Sequence, residues 1–83
     1  MGEMVVMIRA FIPPNEAVEG FRLGEPFELN LIDGTTLKEL IQRIFSKNKG
    51  RIGLMAINGK IAQDHAVLLE GDKIDLYSLL EGG

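Results

Sequence analysis

The sequence contains no cysteine and no tryptophan, and only one histidine and one tyrosine among its 83 residues. Without cysteine the chain can form no disulfide, zinc ribbon, iron–sulfur cluster or thiol nucleophile. The single histidine, His65, argues against a transition-metal site. No run approaches the roughly 18 apolar residues of a transmembrane helix, and MGEMVVMIRAF is too short an apolar run for a signal peptide. We therefore expect a cytoplasmic protein without a membrane partner.

Positive charge is also scarce. Nine lysines and arginines stand against twelve acidic residues, for a formal net charge of −3. This is the wrong sign for a domain whose main partner is nucleic acid, so we expect none. The densest basic cluster, SKNKGR, follows a predicted helix, where cations complement the helix dipole. The length and a hydrophobic content of 46% predict one domain with a small core.

Two strands are predicted in the first half of the chain. EMVVMIRAFI, residues 3–12, is rich in β-branched and long apolar residues, and Pro13-Pro14 ends it by removing two backbone donors. Residues 13–24 form a loop with Gly20 and Gly24. EPFELNLI then alternates as a half-buried strand should, with apolar side chains at Phe27, Leu29 and Leu31.

A helix of about eleven residues is predicted next. After a turn at Asp33-Gly34, Thr36 and Glu39 have the spacing of a capping box. One helix face is apolar over two turns, and Lys47, Lys49 and Gly50 are expected to close the helix. The apolar face consists of Leu37, Leu40, Ile41, Ile44 and Phe45.

The second half of the chain predicts a hairpin and a last strand. Asn58-Gly59 is a strong hairpin signal because type I′ turns need two residues that tolerate positive φ. A connection follows, with one helical turn expected at residues 65–68, and KIDLYSLL forms the last strand. The order β-β-α-β-β-β lets the first and last strands pair in parallel beneath the helix. We therefore predict an α+β, β-grasp (ubiquitin-like) domain over residues 1–83, with a flexible tail at 80–83.

Four segments resemble the sulfur-carrier family that includes the molybdopterin synthase small subunit and the thiamine-biosynthesis sulfur carrier. They are TTLKELI at the helix start, AINGKIA at the hairpin, LLEGDKIDLY before the last strand, and the terminal Gly82-Gly83. Together they lie within residues 35–83. The chain departs from many molybdopterin-type members in having Ser78 to Glu81 where those have a proline before the tail. The loop at residues 13–24 has no match in that pattern.

The resemblance implies that the protein is a carrier and not an enzyme, and that Gly83 is its working residue. An adenylating enzyme of the ubiquitin-activating type would use ATP on the Gly83 carboxylate, and a sulfur donor would then form a thiocarboxylate. The carrier would then bind a sulfur-acceptor synthase subunit, and the sulfur would be transferred there to a molybdopterin or tungsten-pterin precursor. No bound cofactor or metal is expected. Gly82 and Gly83 lack the Cβ atoms that would collide with a narrow enzyme channel.

A docking surface is predicted on the sheet face that the helix leaves uncovered. If Val6, Ile8, Ala10, Ile74 and Leu76 face the helix, the residues that alternate with them face outward. Exposed apolar area beside a reactive tail is typical of a partner-binding surface. The predicted partner-binding residues are Met7, Phe11, Tyr77, Leu79, Leu80 and Glu81.

Three other functions remain open at this point. The carrier could serve the thiamine pathway, or the chain could be a protein modifier that joins Gly83 to lysines of other proteins. It could also be a passive β-grasp interaction module. The acidic residues Glu70, Asp72 and Asp75 are interpreted as turn and strand positions, because no nucleophile accompanies them.

Overall fold

The computed structural model describes residues 2–16 and 18–79. These residues form one five-stranded mixed sheet with the strand order β2-β1-β5-β3-β4, and one α-helix. The predicted order β-β-α-β-β-β is confirmed. The elements are β1 (Glu3–Ala10), β2 (Phe27–Ile32), α1 (Leu37–Ile44), a 3-10 helix (Ser46–Arg51), β3 (Ile52–Ile57), β4 (Lys60–Ile61) and β5 (Lys73–Ser78).

The first and last strands lie side by side in the middle of the sheet. β1 pairs in parallel with β5 and antiparallel with β2, and β5 pairs antiparallel with β3 on its other side. The parallel pairing is possible because α1 and the strands after it provide the long crossover that parallel neighbours need. The strand that leads toward the C-terminus is therefore held between two others.

The core lies between the sheet and α1. The side chains of β1 alternate strictly, and every second one is fully buried against the helix side. The predicted inward residues Val6, Ile8, Ala10, Ile74 and Leu76 are all at most 1% exposed. The other buried apolar residues of this core are Met4, Ile12, Phe27, Leu31, Leu37, Leu40, Ile41, Phe45 and Leu68.

The helix begins with the predicted capping box. The Glu39 backbone N–H donates to Thr36 Oγ1 at 3.2 Å, and the Thr36 N–H donates to Glu39 Oε1 at 2.9 Å. Two further amides of the first turn donate to carbonyls of the connection that follows β4: Leu37 N to Ala66 O, and Lys38 N to Asp64 O. The free N–H groups of the helix start are thus satisfied by its own cap and by a distant segment.

The helix is shorter than predicted, with eight residues in place of about eleven. The loop after β1 explains the early end, because Asn15 takes the groups that would continue the helix. Its N–H donates to Ile44 O at 2.7 Å, and its Oδ1 accepts from Lys47 N at 2.8 Å. The chain then continues as the 3-10 helix, in which the Asn48 N–H donates to Phe45 O at 2.9 Å. The predicted closing residues therefore lie in this 3-10 helix.

The Asn58-Gly59 hairpin is confirmed, with φ of 54° and 84° at the two residues. The helical turn expected at residues 65–68 is wrong. That segment instead forms a turn at residues 64–65 and an isolated bridge between Val67 and Thr36. Two of its backbone groups bond to the start of α1 instead of forming a local helical turn: Leu68 N donates to Thr35 O, and Ala66 O accepts from Leu37 N, both at 2.9 Å.

Two strands end before their predicted limits. β1 stops at Ala10, although Phe11 N still donates to Leu76 O at 2.9 Å. β5 stops at Ser78, and the rest of the predicted last strand includes Leu80, which lies outside the described residues. No described helix is long and apolar enough to cross a membrane.

Candidate functional site

The outer face of the sheet, which points away from α1, is the site that the sequence predicted. In the β1–β5 register Met7 lies opposite Lys73, and Arg9 lies opposite Asp75. Because neighbouring strand residues point to opposite sides, the buried residues on the helix side require these side chains to face outward. Met7, Phe11 and Tyr77 are half-buried, and Leu79 is exposed. Their role in binding remains a prediction.

Two aromatic rings bridge the central strands of this face. The rings of Phe11 and Tyr77 stack with their centroids 5.4 Å apart and their planes at 12°. Stacked pairs add about 0.5–1.5 kcal/mol beyond the area that they bury. The two residues are 66 positions apart in sequence, so the stack exists only because β1 and β5 are neighbours.

Arg9 joins the stack to the polar part of the outer face. Its Nε donates to Asp75 Oδ1 at 3.0 Å, and its Nη2 donates to the Tyr77 hydroxyl at 3.2 Å. The guanidinium carbon also lies 5.6 Å from the centroid of the Phe11 ring, within cation–π range. The hydrogen bonds to Tyr77 and to Asp75 raise the pKa of Arg9 above its ordinary value. Arg9 is therefore a fixed positive charge at every physiological pH.

Apolar side chains from β3 and β4 extend the stack toward one edge of the sheet. Leu54 lies opposite Tyr77 and is 43% exposed, and Ile61 lies opposite Ala56 and is 76% exposed. Leu79, 60% exposed, follows β5. We call this surface the docking face; its residues are Met7, Arg9, Phe11, Leu54, Ile61, Asp75, Tyr77 and Leu79.

Leu54, Ile61 and Arg9 were not among the predicted site residues. The β3 sequence IGLMAI is apolar on both sides of the strand, so alternation alone could not tell which residues face outward. Strand alternation places Arg9 on the same side of β1 as Met7 and Phe11, but its contacts with residues of β5 follow from tertiary pairing. The Asn58-Gly59 turn determines the register of β3 and β4, and counting back from it could have shown that Leu54 faces outward.

The chain leaves β5 beside the start of β3. The Leu79 backbone N–H donates to Arg51 O at 2.7 Å, so the chain is held by backbone bonds up to this residue. A Cβ added at Gly53 would lie 2.9 Å from the Leu79 Cα atom, so β3 approaches the chain closely here. The predicted site residues Leu80, Glu81, Gly82 and Gly83 lie outside the described residues.

The acidic residues that could suggest catalysis have structural contacts. Asp72 is buried, and its two carboxylate oxygens accept from Asn58 Nδ2 at 2.9 Å and Leu69 N at 2.8 Å. Asp75 forms the ion pair with Arg9, and Glu70 Oε1 accepts from Val5 N. Within residues 2–16 and 18–79, no three histidine or acidic side chains are grouped so as to hold a metal ion.

The strand order, the parallel β1–β5 pair and the single helix across one face define a β-grasp, or ubiquitin-like, fold. The crystal structure of SAMP1 from Haloferax volcanii is similar, with a TM-score of 0.61 over 95% of this chain and 99% of SAMP1. The two sequences are 17% identical, so the likeness shows the shared fold. No protein-family model and no curated protein matches the chain.

Proposed function

We propose that this protein is a sulfur carrier that works through the C-terminal carboxylate of Gly83. One structural observation supports the proposal above all. The aromatic and apolar docking face lies on β1, β5 and β3, and β5 is the strand from which the chain continues to residues 80–83. A partner bound to this face would contact the last residues of the same strand.

The distance from the docking face to a partner's active centre suits this arrangement. Four residues follow Leu79, and four extended residues span at most about 13–14 Å. That is enough for Gly83 to enter an enzyme cleft while Leu79 and Tyr77 remain in contact with the enzyme surface. Leu80 and Glu81 would then line the entrance to the cleft.

The chemistry would proceed in two balanced steps. The Gly83 carboxylate attacks the α-phosphate of ATP, which forms an acyl adenylate and releases pyrophosphate. A sulfide-level donor (hydrosulfide, or a persulfide together with a two-electron reductant) then attacks the acyl carbon. The C–S bond forms, the C–O bond to AMP breaks, and the thiocarboxylate remains on Gly83. Excluding water from the adenylate is the task of the partner enzyme, because hydrolysis would return the carboxylate.

The partners of such a carrier are an adenylating enzyme and a sulfur-acceptor subunit. We propose a molybdopterin or tungsten-pterin precursor as the final acceptor, on the sequence resemblance described above. The carrier itself binds no cofactor in this scheme, since ATP is bound by the activating enzyme. The thiamine pathway is the alternative acceptor, and the two share every step up to the thiocarboxylate.

Intact mass spectrometry of the protein purified from its native host tests the proposal. We expect a species in which one oxygen is replaced by sulfur, located at Gly83 by fragmentation, and we expect Gly83 to be the last residue. Deletion of Gly82 and Gly83 should abolish this species and leave the circular dichroism spectrum unchanged. If Gly83 is instead found in isopeptide linkage to lysines, the protein is a modifier. If the deletion leaves biological activity intact, the protein is a passive module.

Two leucines provide a matched test of the docking face. Leu79 and Leu69 are 60% and 65% exposed, and only Leu79 belongs to the docking face. Leu79→Ser should reduce thiocarboxylate formation in the native host at least severalfold, whereas Leu69→Ser should leave it unchanged. Equal thiocarboxylate yields from the two variants would contradict the assignment of the docking face.

A further inference from the structure

A groove on the helix side of the sheet is separate from the docking face and from the tail. It encloses about 400 Å³ and lies between α1 and β3. The 3-10 helix contributes Lys49 and Gly50, and the connection after β4 contributes Asp64. The remaining lining residues are Lys38, Ile41, Gln42, Ile52 and Met55.

The groove exists because α1 does not cover β3. Ile41 is buried in the core, but Ile52 and Met55 on the helix side of β3 are only half-buried. The strand positions that correspond to them on β1 and β5, such as Ile8 and Leu76, are fully buried. Because α1 has only eight residues, it leaves the apolar side chains of β3 partly open to solvent between the helix and the edge of the sheet.

The sheet edge beside this groove is also open. β4 has two residues and pairs with β3 only at Ala56 and Ile57, with one more bond from Ala62 N to Met55 O. In the described part of the chain, Gly53 and Leu54 therefore have no strand beside them on the side away from β5. An unpaired strand edge can accept an extended peptide as an additional strand.

The charges around the groove favour a negatively charged occupant. Lys38 and Lys49 stand against the single carboxylate of Asp64. Arg9–Asp75 is the one ion pair among residues 2–16 and 18–79, so neither lysine forms an ion pair with a carboxylate there. Two ammonium groups beside an apolar floor suit a carboxylate that adjoins an apolar side chain.

We propose that this groove binds a short extended segment of a partner protein that has an apolar residue two positions from an aspartate or glutamate, so that both side chains point to the same side of the segment. The apolar side chain contacts Ile41, Ile52 and Met55. The carboxylate lies near Lys38 and Lys49, and the backbone runs along β3 at Gly53 and Leu54. The connection at Asp64 and the 3-10 helix at Gly50 close the two ends. From Ile52 to Met55 the strand advances about 10 Å, which accommodates roughly three extended residues.

The experiment uses the full chain labelled with ¹⁵N and the synthetic peptide acetyl-Ser-Val-Leu-Glu-Val-Ser-amide as the probe. We expect saturable shifts of the backbone amide signals of Gly50, Gly53 and Met55, none of which belongs to the docking face, with a Kd between about 10 μM and 1 mM. The peptide with lysine in place of glutamate should bind roughly 3- to 10-fold more weakly. No saturable shift up to about 2 mM, or shifts confined to the docking face, would overturn the proposal.

Charge-reversal variants test the lysines. Lys38→Glu combined with Lys49→Glu should weaken binding of the same peptide at least 5-fold. Lys47→Glu combined with Lys73→Glu changes the net charge equally but lies outside the groove, and it should leave the Kd within twofold. Equal losses in the two double variants would overturn the proposal by showing a non-specific charge effect. Neither the peptide titration nor the charge-reversal test involves Gly83, so the outcomes of both are independent of the proposed sulfur-carrier function.

Discussion

The ring of Phe11 stacks on the ring of Tyr77 across the parallel β1–β5 pair, with the centroids 5.4 Å apart. The Tyr77 hydroxyl accepts a hydrogen bond from Arg9, whose guanidinium also lies against the Phe11 ring. Three side chains on two strands are thereby held in one arrangement. The centre of the docking face is therefore held in one arrangement by its own contacts, and the binding proposed for this face would cost less entropy for that reason.

The stack should be measurable as a coupling between its two residues. In a double-mutant cycle with Phe11→Leu and Tyr77→Leu, urea unfolding should give a coupling free energy of about 0.5–1.5 kcal/mol. Tyr77→Phe should preserve the coupling with Phe11, because it keeps the ring and removes only the hydroxyl. A coupling below about 0.3 kcal/mol would mean that the rings act independently.

Gly53 should tolerate no side chain, whereas Gly50 should. A Cβ at Gly53 would lie 2.9 Å from the Leu79 Cα atom, and a Cβ at Gly50 would meet nothing within 4 Å. We expect Gly53→Ala to lower the free energy of unfolding by about 1–3 kcal/mol, since the backbone at Leu79, just after β5, must move. Gly50→Ala should change it by less than about 0.5 kcal/mol. Thermal unfolding of both variants measures the difference, and equal melting temperatures would contradict the close approach.

The hydrogen bond that caps the start of α1 predicts how substitutions of Thr36 change the stability of the protein. Removing the hydroxyl with Thr36→Ala should lower stability by about 1 kcal/mol, because the Glu39 N–H loses its acceptor. For a domain of this size that corresponds to a fall in Tm of about 4–8 °C. Thr36→Ser should retain most of the stability because serine keeps the hydroxyl that accepts from Glu39 N. If serine behaves like alanine, the hydroxyl is not what stabilises the helix start.

The contact between Asn58 and Asp72 predicts a variant that is destabilised by charge repulsion. Asn58→Asp replaces the donated Nδ2–H by a second carboxylate beside the buried Asp72, and at pH 7 it should cost about 1–3 kcal/mol. Asn58→Gly lacks the donor and also the oxygen that accepts from the Lys73 N–H, but it adds no charge and tolerates the positive φ, so it serves as the uncharged control.

The loss of stability caused by Asn58→Asp should become smaller when sodium chloride is raised from about 0.05 M to about 0.5 M, because salt screens the repulsion between the two carboxylates, whereas the loss caused by Asn58→Gly should not change. Urea unfolding at both salt concentrations measures the two losses. A loss in Asn58→Asp that is the same at the two salt concentrations would show that charge repulsion is not its cause.

Local patterns in the sequence predicted the secondary structure well where the signals were short-range. The capping box at Thr36 and Glu39 and the positive-φ turn at Asn58-Gly59 both involve residues at most three positions apart. The burial of Ile8 and Leu76 also followed from strand periodicity. The early end of α1 could not be predicted in this way, because the bonds that cause it come from Asn15, about 30 residues upstream.

The sequence by itself determined the order of the elements and the inward and outward alternation of β1 and β5, because both depend on residues that are close together in the chain. It also supplied Gly82-Gly83 directly. Only the tertiary structure decided that Arg9, Phe11 and Tyr77 form one cluster, and that Leu54 and Ile61 extend it. It alone showed the groove between α1 and β3. The physical reason is the same for both sites: each joins residues from strands and helices that are distant in sequence, and their contacts depend on sheet order, register and helix length.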